Sequence, residues 1–451
     1  MLRKFKFVPV LVIALASLLL LTSGCGVRRL AWSPDGKRAA VLGQDGLYFC
    51  DADGKLSGVQ VSNVAMTEWF ADSERLAIIR AASASSWPEI EAHLPVEERV
   101  QIVQQGQAVW REMSAGNEWK GLLKMFDHPD AVVVYLKSIE GINQKIGLDL
   151  PMLQQNEATV FSLCVGTIKS NHVIMGPALV ETLQQPLPMG LRVSPKGQAI
   201  AMTTAAGKRH GARLLVVASD GSSPGQVVSE EACAHPDWSK DGLSLLYINA
   251  TGAMASEDDM RLGELTRRQV INAAGAVEVQ NEHDDLAVVL FDLNLGVRAL
   301  ADGRILFVAL DVPLPVTAPE LPQQPQIFSY DPNRHPPLTR VLPHKILESL
   351  PQDISFFELS PDDKKVLMAA DKGIVMVLTL ADAGITIVQG AGNEDAPAFP
   401  CWRGSDEICY FSHSVSNNVG HAWEVALWKS GTNRVLSGAW PAEIRRNFLD
   451  K

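Results

Sequence analysis

Few residues of this chain are grouped as catalysis requires. The densest polar cluster is His283-Asp284-Asp285. An imidazole beside two carboxylates can relay a proton, but the trio sits in a polar stretch where a solvated loop accounts for it. Asp51-Ala52-Asp53-Gly54 begins like a calcium loop. The later ligands and the glutamate twelve positions along are missing, so it reads as a turn. No G-x-S-x-G, H-E-x-x-H or S-x-x-K pattern occurs, and no glycine-rich phosphate loop follows a strand. The expectation is a chain that is not an enzyme, with no catalytic residue, no metal ligand and no cofactor.

The cysteines carry one further kind of chemistry. Six are present, with no C-x-x-C pair, which argues against a zinc site. Cys25 stands apart by its context. Arg3, Lys4 and Lys6 open the chain, Val8 to Leu21 is an apolar run, and Thr22, Ser23 and Gly24 are small. The run is long enough for a signal peptide and short of the roughly 20 residues of a membrane span. The pattern resembles a bacterial lipobox, in which signal peptidase II cuts before a cysteine that carries diacylglycerol. It departs from the usual form in having Thr22 three before the cysteine and Leu21 one further back. The reading is a lipoprotein signal peptide over 1–24 and a lipidated Cys25, with an ordinary secretory signal or an uncleaved anchor as alternatives. It places the chain in the cell envelope, bound to a membrane through the Cys25 lipid (a palmitate-bearing anchor) and facing the periplasm or the exterior. Gly26 stands where an Asp signals inner-membrane retention, which favours the outer membrane. Cys50, Cys164, Cys233, Cys401 and Cys409 remain, an odd number. Cys401 and Cys409 flank a tight turn and could face each other across a hairpin. Free, half-buried thiols are the simpler reading.

Charge narrows the partners. The net charge is −11, and loss of residues 1–24 removes three basic residues and leaves −14. With no basic cluster there is nothing to neutralise phosphates, so nucleic acid is excluded.

The elements that must position any site come from a repeat. Leu30-Ala31-Trp32-Ser33-Pro34-Asp35-Gly36-Lys37-Arg38-Ala39-Ala40-Val41 is followed by Leu47-Tyr48-Phe49-Cys50-Asp51-Ala52-Asp53-Gly54. Proline presets φ, aspartate caps the turn and glycine takes positive φ, so each such piece is strand, turn, strand. Copies recur at Trp69–Ile78, Val193–Met202, Trp238–Tyr247, Ala301–Phe307, Leu359–Met368 and Trp402–Phe411. Seven copies are strong evidence, because each unit leaves an apolar face that only a neighbour can cover. The S-P-D-G-K turn followed by L-Y-x-x-D-x-D-G resembles the propeller repeats of TolB and of prolyl-oligopeptidase-type peptidases, over residues 28 to about 436. The resemblance implies an all-β fold: a seven-bladed β-propeller within 25–451, with six or eight blades as alternatives. Trp32, Trp69, Trp238 and Trp402 share one repeat position, and packing between blades explains them better than a binding surface.

Two stretches interrupt the repeat. From Trp87 to Gln155 the apolar spacing turns helical, which reads as a helical insertion over 87–155 in the second blade. Residues 253–284, opening with Glu257, Asp258 and Asp259, read as a polar insertion. Pro313 to Pro325 reads as an extended loop, and the last strand is expected near Val435 to Trp440. The leading expectation is a protein-binding or scaffold module whose partner, an envelope protein, docks on a propeller face or on 87–155. The alternative is a propeller enzyme, a glycan lyase or hydrolase, or a sugar or metabolite sensor at the central channel.

Overall fold

The structure is a computed structural model. It describes residues 29–43, 45–84, 87–93, single positions between 99 and 115, 158–183, 188–204, 211–254, 260–292, 296–310, 325–342, 354–370, 374–388, 400–414 and 422–441. Cys25, most of 87–155 and most of the proline-rich stretch lie outside these residues. No helix among the described residues is long and apolar enough to cross a membrane.

The repeat becomes structure through its turn. Ser33, Ser239 and Ser360 each donate a hydroxyl hydrogen bond to the aspartate two residues on, Asp35, Asp241 and Asp362, at 2.6, 2.7 and 2.7 Å. Each serine oxygen also accepts the backbone N–H five residues on, from Arg38, Ser244 and Lys365. Gly36 and Gly242 then take positive φ, +68° and +75°, as the turn demands. Where the repeat lacks glycine, Ser73 and Asp363 take the same conformation at +60° and +57°.

The described strands are antiparallel and run in consecutive fours. The units span Leu30–Ser62, Val64–Leu183, Pro188–Ala232, Asp237–Asp292, Val297–Arg340, Ile354–Ile387 and Cys401–Val435. Four of them are separate four-stranded sheets. The third to fifth join into one twelve-stranded sheet, crossed by single bridges at Ala232–Asn249 and Phe291–Ala309.

The apolar core is divided into layers between units rather than gathered at one centre. Phe49 of the first unit meets Trp69, Leu76 and Ile78 of the second. Phe70 and Leu163 meet Ile200 and Val217 of the third. One large cluster runs through the third, fourth and fifth units. Two more join fifth to sixth and sixth to seventh. The last layer packs Leu30, Trp32, Val41 and Tyr48 against Cys401, Cys409, Leu427 and Trp440, so the seventh unit closes on the first. A ring of small antiparallel sheets, each covered by the next, is a β-propeller.

Two expectations change in detail. Part of the expected polar insertion 253–284 belongs to the propeller sheet. Met260–Gln269 is a strand of the fourth unit, paired on both sides. Its polarity misleads because charges on it are matched across strands, as in Arg267 with Asp284 at 2.7 Å. The last strand among the described residues is Thr432–Val435, and a 3-10 turn at Ser437–Ala439 follows it. Trp440 is a buried plug there, donating to the Gly54 carbonyl of the first unit at 2.8 Å. Between the second unit's strands Arg75–Ala84 and Ala158–Lys169, the helix Trp87–Ala92 is described. The described positions from 99 to 115 are helical too.

Candidate functional site

In an antiparallel meander, connections alternate between the two ends of the sheet. The first-to-second connection is five residues long in six units, at 33–37, 70–74, 194–198, 239–243, 300–304 and 360–364. These turns touch one another around the ring. Asp35 N–H donates to Ser73 Oγ at 3.1 Å. Lys240 reaches Asp363 at 3.1 Å, and the same carboxylate accepts from Ala301 N–H at 2.8 Å. Lys365 donates to Asp406 at 2.6 Å, and Arg403 to the Gly36 carbonyl at 3.2 Å. Short, mutually bonded turns line this end, which also carries the third-to-fourth connections, 270–283 the longest of them.

The opposite end carries the second-to-third connections and the links between units. The longest of these, 85–157, 311–324, 341–353 and 388–400, all leave from it. Long connections on a rigid scaffold are where binding residues concentrate.

The first strands of neighbouring units lie against one another, Leu30–Trp32 on Cys401–Arg403 and Val64–Trp69 on Pro188–Val193 among them. A charged position repeats along these inner strands. Glu68 pairs with Arg192 at 3.1 Å across the second and third units. Asp237 accepts from Ala299 N–H at 2.9 Å across the fourth and fifth. Arg298, 7% exposed, donates to the carbonyls of Val297 and Phe357 and lies 5.1 Å above the Phe357 ring. Glu358 holds the equivalent place in the sixth unit. Sequence reasoning missed this set, because the residues are far apart in the chain and share only their offset from the turn.

The shared tryptophan position behaves as inter-unit packing. Trp69, Trp238 and Trp402 donate their Nε1–H to the carbonyls of Ala31, Arg192 and Glu358 in the preceding unit, at 2.9, 3.2 and 3.3 Å. Trp32 is equivalent but its buried Nε1 has no acceptor. The guanidinium of Arg403 lies 4.5 Å over its ring instead.

A polar groove of about 590 Å³ opens at the turn end between the first and second units, lined by Ser33, Asp35, Arg38, Asp51, Asp72 and Asn171 among others. Arg38 lies 5.2 Å over Phe49 and donates to Asn171 at 2.9 Å. Partial burial pushes the Asp35 and Asp72 carboxyls up. It is outweighed by hydrogen bonds from Ser33 and Lys37, and from Arg75 and Glu74, so both sit below the ordinary carboxylate range. A general acid at neutral pH needs the opposite shift. The groove is therefore suited to hydrogen bonding with a polar group and not to proton donation by these two acids.

Of the residues singled out by sequence, His283 and Asp285 are 3.6 Å apart and well exposed, and Asp284 turns to Arg267. Asp51 caps its turn, accepting from Asp53 and Lys55 N–H at 3.0 and 2.9 Å. No group of three or more candidate metal ligands occurs among the described residues.

The turn acids set a pH response. Side-chain hydrogen bonds from Ser222, Arg304 and Lys365 hold Asp220, Asp302 and Asp406 low. In Asp241 and Asp362 the upward push of burial is outweighed by Ser239 and Ser360. A carboxyl with a depressed folded pKa contributes stability that is present above its unfolded value of about 3.9 and is lost as pH falls through the folded value. Stability is expected to hold from neutral pH to about 4 and to fall below it. Asp241→Asn should be less stable than wild type at pH 7 and converge on it in acid. Equal differences at pH 7 and at acid pH would contradict this origin.

Comparison of the sequence with known protein families finds no match, and comparison with curated proteins finds none. Solved structures are similar in fold. The β-propeller domain of the Trilobed protease from Pyrococcus furiosus, whose description notes an open velcro topology, matches with a TM-score of 0.45 at 8% identity, over 92% of this chain and 93% of that one. A putative TolB from Agrobacterium tumefaciens matches at 0.35 and 11% identity, over 58% and 83%. An oligogalacturonate lyase from Vibrio parahaemolyticus matches at 0.41 and 11% identity, over 76% and 73%.

Proposed function

We propose that this chain is a seven-bladed propeller lipoprotein of the bacterial envelope, acylated at Cys25, that binds or scaffolds an envelope protein without turnover. The observation that carries the reading is the division between the two ends of the ring. One end is lined by bonded five-residue turns. The other carries the longest connection, 85–157, and with it 311–324, 341–353 and 388–400. The partner docks on that second end, with 87–155 as the largest part of its surface. The lipid at Cys25 tethers the ring close to the membrane, since the first strand begins at Leu30, and the absence of Asp after the cysteine favours the outer membrane.

The second reading, a glycan lyase or hydrolase or a metabolite sensor working at the channel, draws on the inner-strand charges Glu68, Arg192, Asp237, Arg298 and Glu358. The first four are bonded to the neighbouring unit or to backbone carbonyls, as seam contacts would be. That favours a structural role for them.

Cys25→Ser tests the anchor. The variant should leave the membrane fraction and appear soluble in the envelope, because stable attachment depends on the acyl chains. Fractionation and migration identical to wild type would refute lipidation while leaving the binding reading to its own test.

A further inference from the structure

We propose that Cys401 and Cys409 are a disulfide-forming pair, a redox modification site on the inner hairpin of the seventh unit where the ring closes. The two are directly opposed in the antiparallel register of Cys401–Arg403 with Glu407–Ser414. Directly opposed residues have Cα atoms about 4.5–5.5 Å apart, inside the roughly 4.4–6.8 Å that a disulfide spans. Opposed side chains leave the sheet on the same face. Here that face is the seam with the first unit, and both residues belong to its apolar layer, 2% and 1% exposed. No disulfide joins them in the structure.

A third thiol makes the choice of partner a real question. Cys50 lies in the same layer, on the first unit's side, and interacts electrostatically with Cys409. Distance decides between them. Packed sheets stand about 10 Å apart, and cysteines whose Cα atoms are more than about 7 Å apart are not bridged without backbone movement. A bond across the seam would have to draw two sheets together. A bond across the hairpin needs only side-chain rotation.

The oxidant is an external disulfide of the glutathione or dithiol-oxidoreductase class. One cysteine, as thiolate, attacks a sulfur of that disulfide and expels one external thiolate. The second cysteine, as thiolate, attacks the mixed disulfide and expels the other. The two protons lost by the cysteines go to the two departing thiolates. Two protein thiols are oxidised and one external disulfide is reduced. Because the pair is buried when folded, the reaction belongs to folding or to transient opening of the seam. The competence of the pair is a property of the hairpin and does not depend on where the protein resides.

Arg403 makes the bond easy to read, because trypsin cuts after it and separates the two cysteines into residues 373–403 and 404–429. The full chain is refolded in a glutathione redox buffer, blocked with iodoacetamide and digested without reduction. The expected product is the disulfide-linked pair of these peptides, two hydrogens lighter than their sum. It should persist in Cys50→Ala and disappear in Cys401→Ala, while Cys164 and Cys233 carry the blocking group as free thiols. Folded wild-type protein without the linked pair would overturn the proposal. So would a dominant link from Cys50, or equal oxidation of Cys164 and Cys233. The wild-type digest decides even where a variant fails to fold.

Discussion

Truncating Trp238 to alanine is expected to cost about 3–5 kcal/mol, the range for deleting a large buried aromatic side chain. Trp238 is 2% exposed and lies in the layer joining the third, fourth and fifth units. Its effect should separate into a packing part and a hydrogen-bond part. Trp238→Phe keeps most of the packing but leaves the Arg192 carbonyl without its donor, which costs about 1–3 kcal/mol beyond the lost volume. Trp32 supplies the control, since it holds the same repeat position at a similar burial, 7%, and its Nε1 has no acceptor. Trp32→Phe loses only volume and some of the cation–π contact with Arg403, and should be milder than Trp238→Phe by about 1–2 kcal/mol. Urea denaturation of the two Phe variants checks this. Equal losses would mean that the tryptophan-to-carbonyl bonds between units add nothing to packing.

Replacing residues 85–157 with a short Gly-Ser linker is expected to leave the ring folded and to abolish recovery of the partner from envelopes. The structural reason is the register at the point of excision. Ala84 stands directly opposite Ala158, and Ser83 opposite Thr159, so a few residues can close the hairpin. Shortening a long connection lowers its closure entropy, at about 0.6 kcal/mol per halving. The excised stretch takes with it the contact of His93 with Glu181 at 2.8 Å. That pair is part-exposed and contributes about 0–1 kcal/mol. The midpoint of unfolding should stay within about 1 kcal/mol of wild type. Failure to recover soluble folded protein would show that the segment is part of the core.

What could be read from sequence divides along a physical line. The serine–proline–aspartate–glycine turns were legible because their hydrogen bonds close within five residues, as Ser33, Asp35 and Arg38 show. The tryptophan position was legible because it recurs at a fixed offset from those turns. Met260–Gln269 was not. Its charges look like loop residues until Arg267 is seen beside Asp284 and Arg268 is seen donating to the Val228 and Gln280 carbonyls. The inner-strand charges were hidden for the same reason: Glu68 and Arg192 are 124 residues apart in the chain and meet only when two units pack. The facing of Cys401 and Cys409 was visible as a hairpin possibility. That Cys50 shares their layer was not, because it depends on the last unit closing on the first.

The central claim is that a partner docks on the end of the ring that carries the 85–157 connection. The direct measurement is site-specific photo-crosslinking in native envelopes, with one probe at a time on exposed residues at the two ends. Asn63 and Ala82 stand at the end of the long connections, where Ala81 N–H bonds the Asn63 carbonyl at 2.8 Å. Lys37 and Asp302 stand on the turns at the other end. The account predicts a discrete protein adduct from Asn63 or Ala82 and none from Lys37 or Asp302. Adducts confined to Lys37 and Asp302, or no adduct from any of the four, would contradict it.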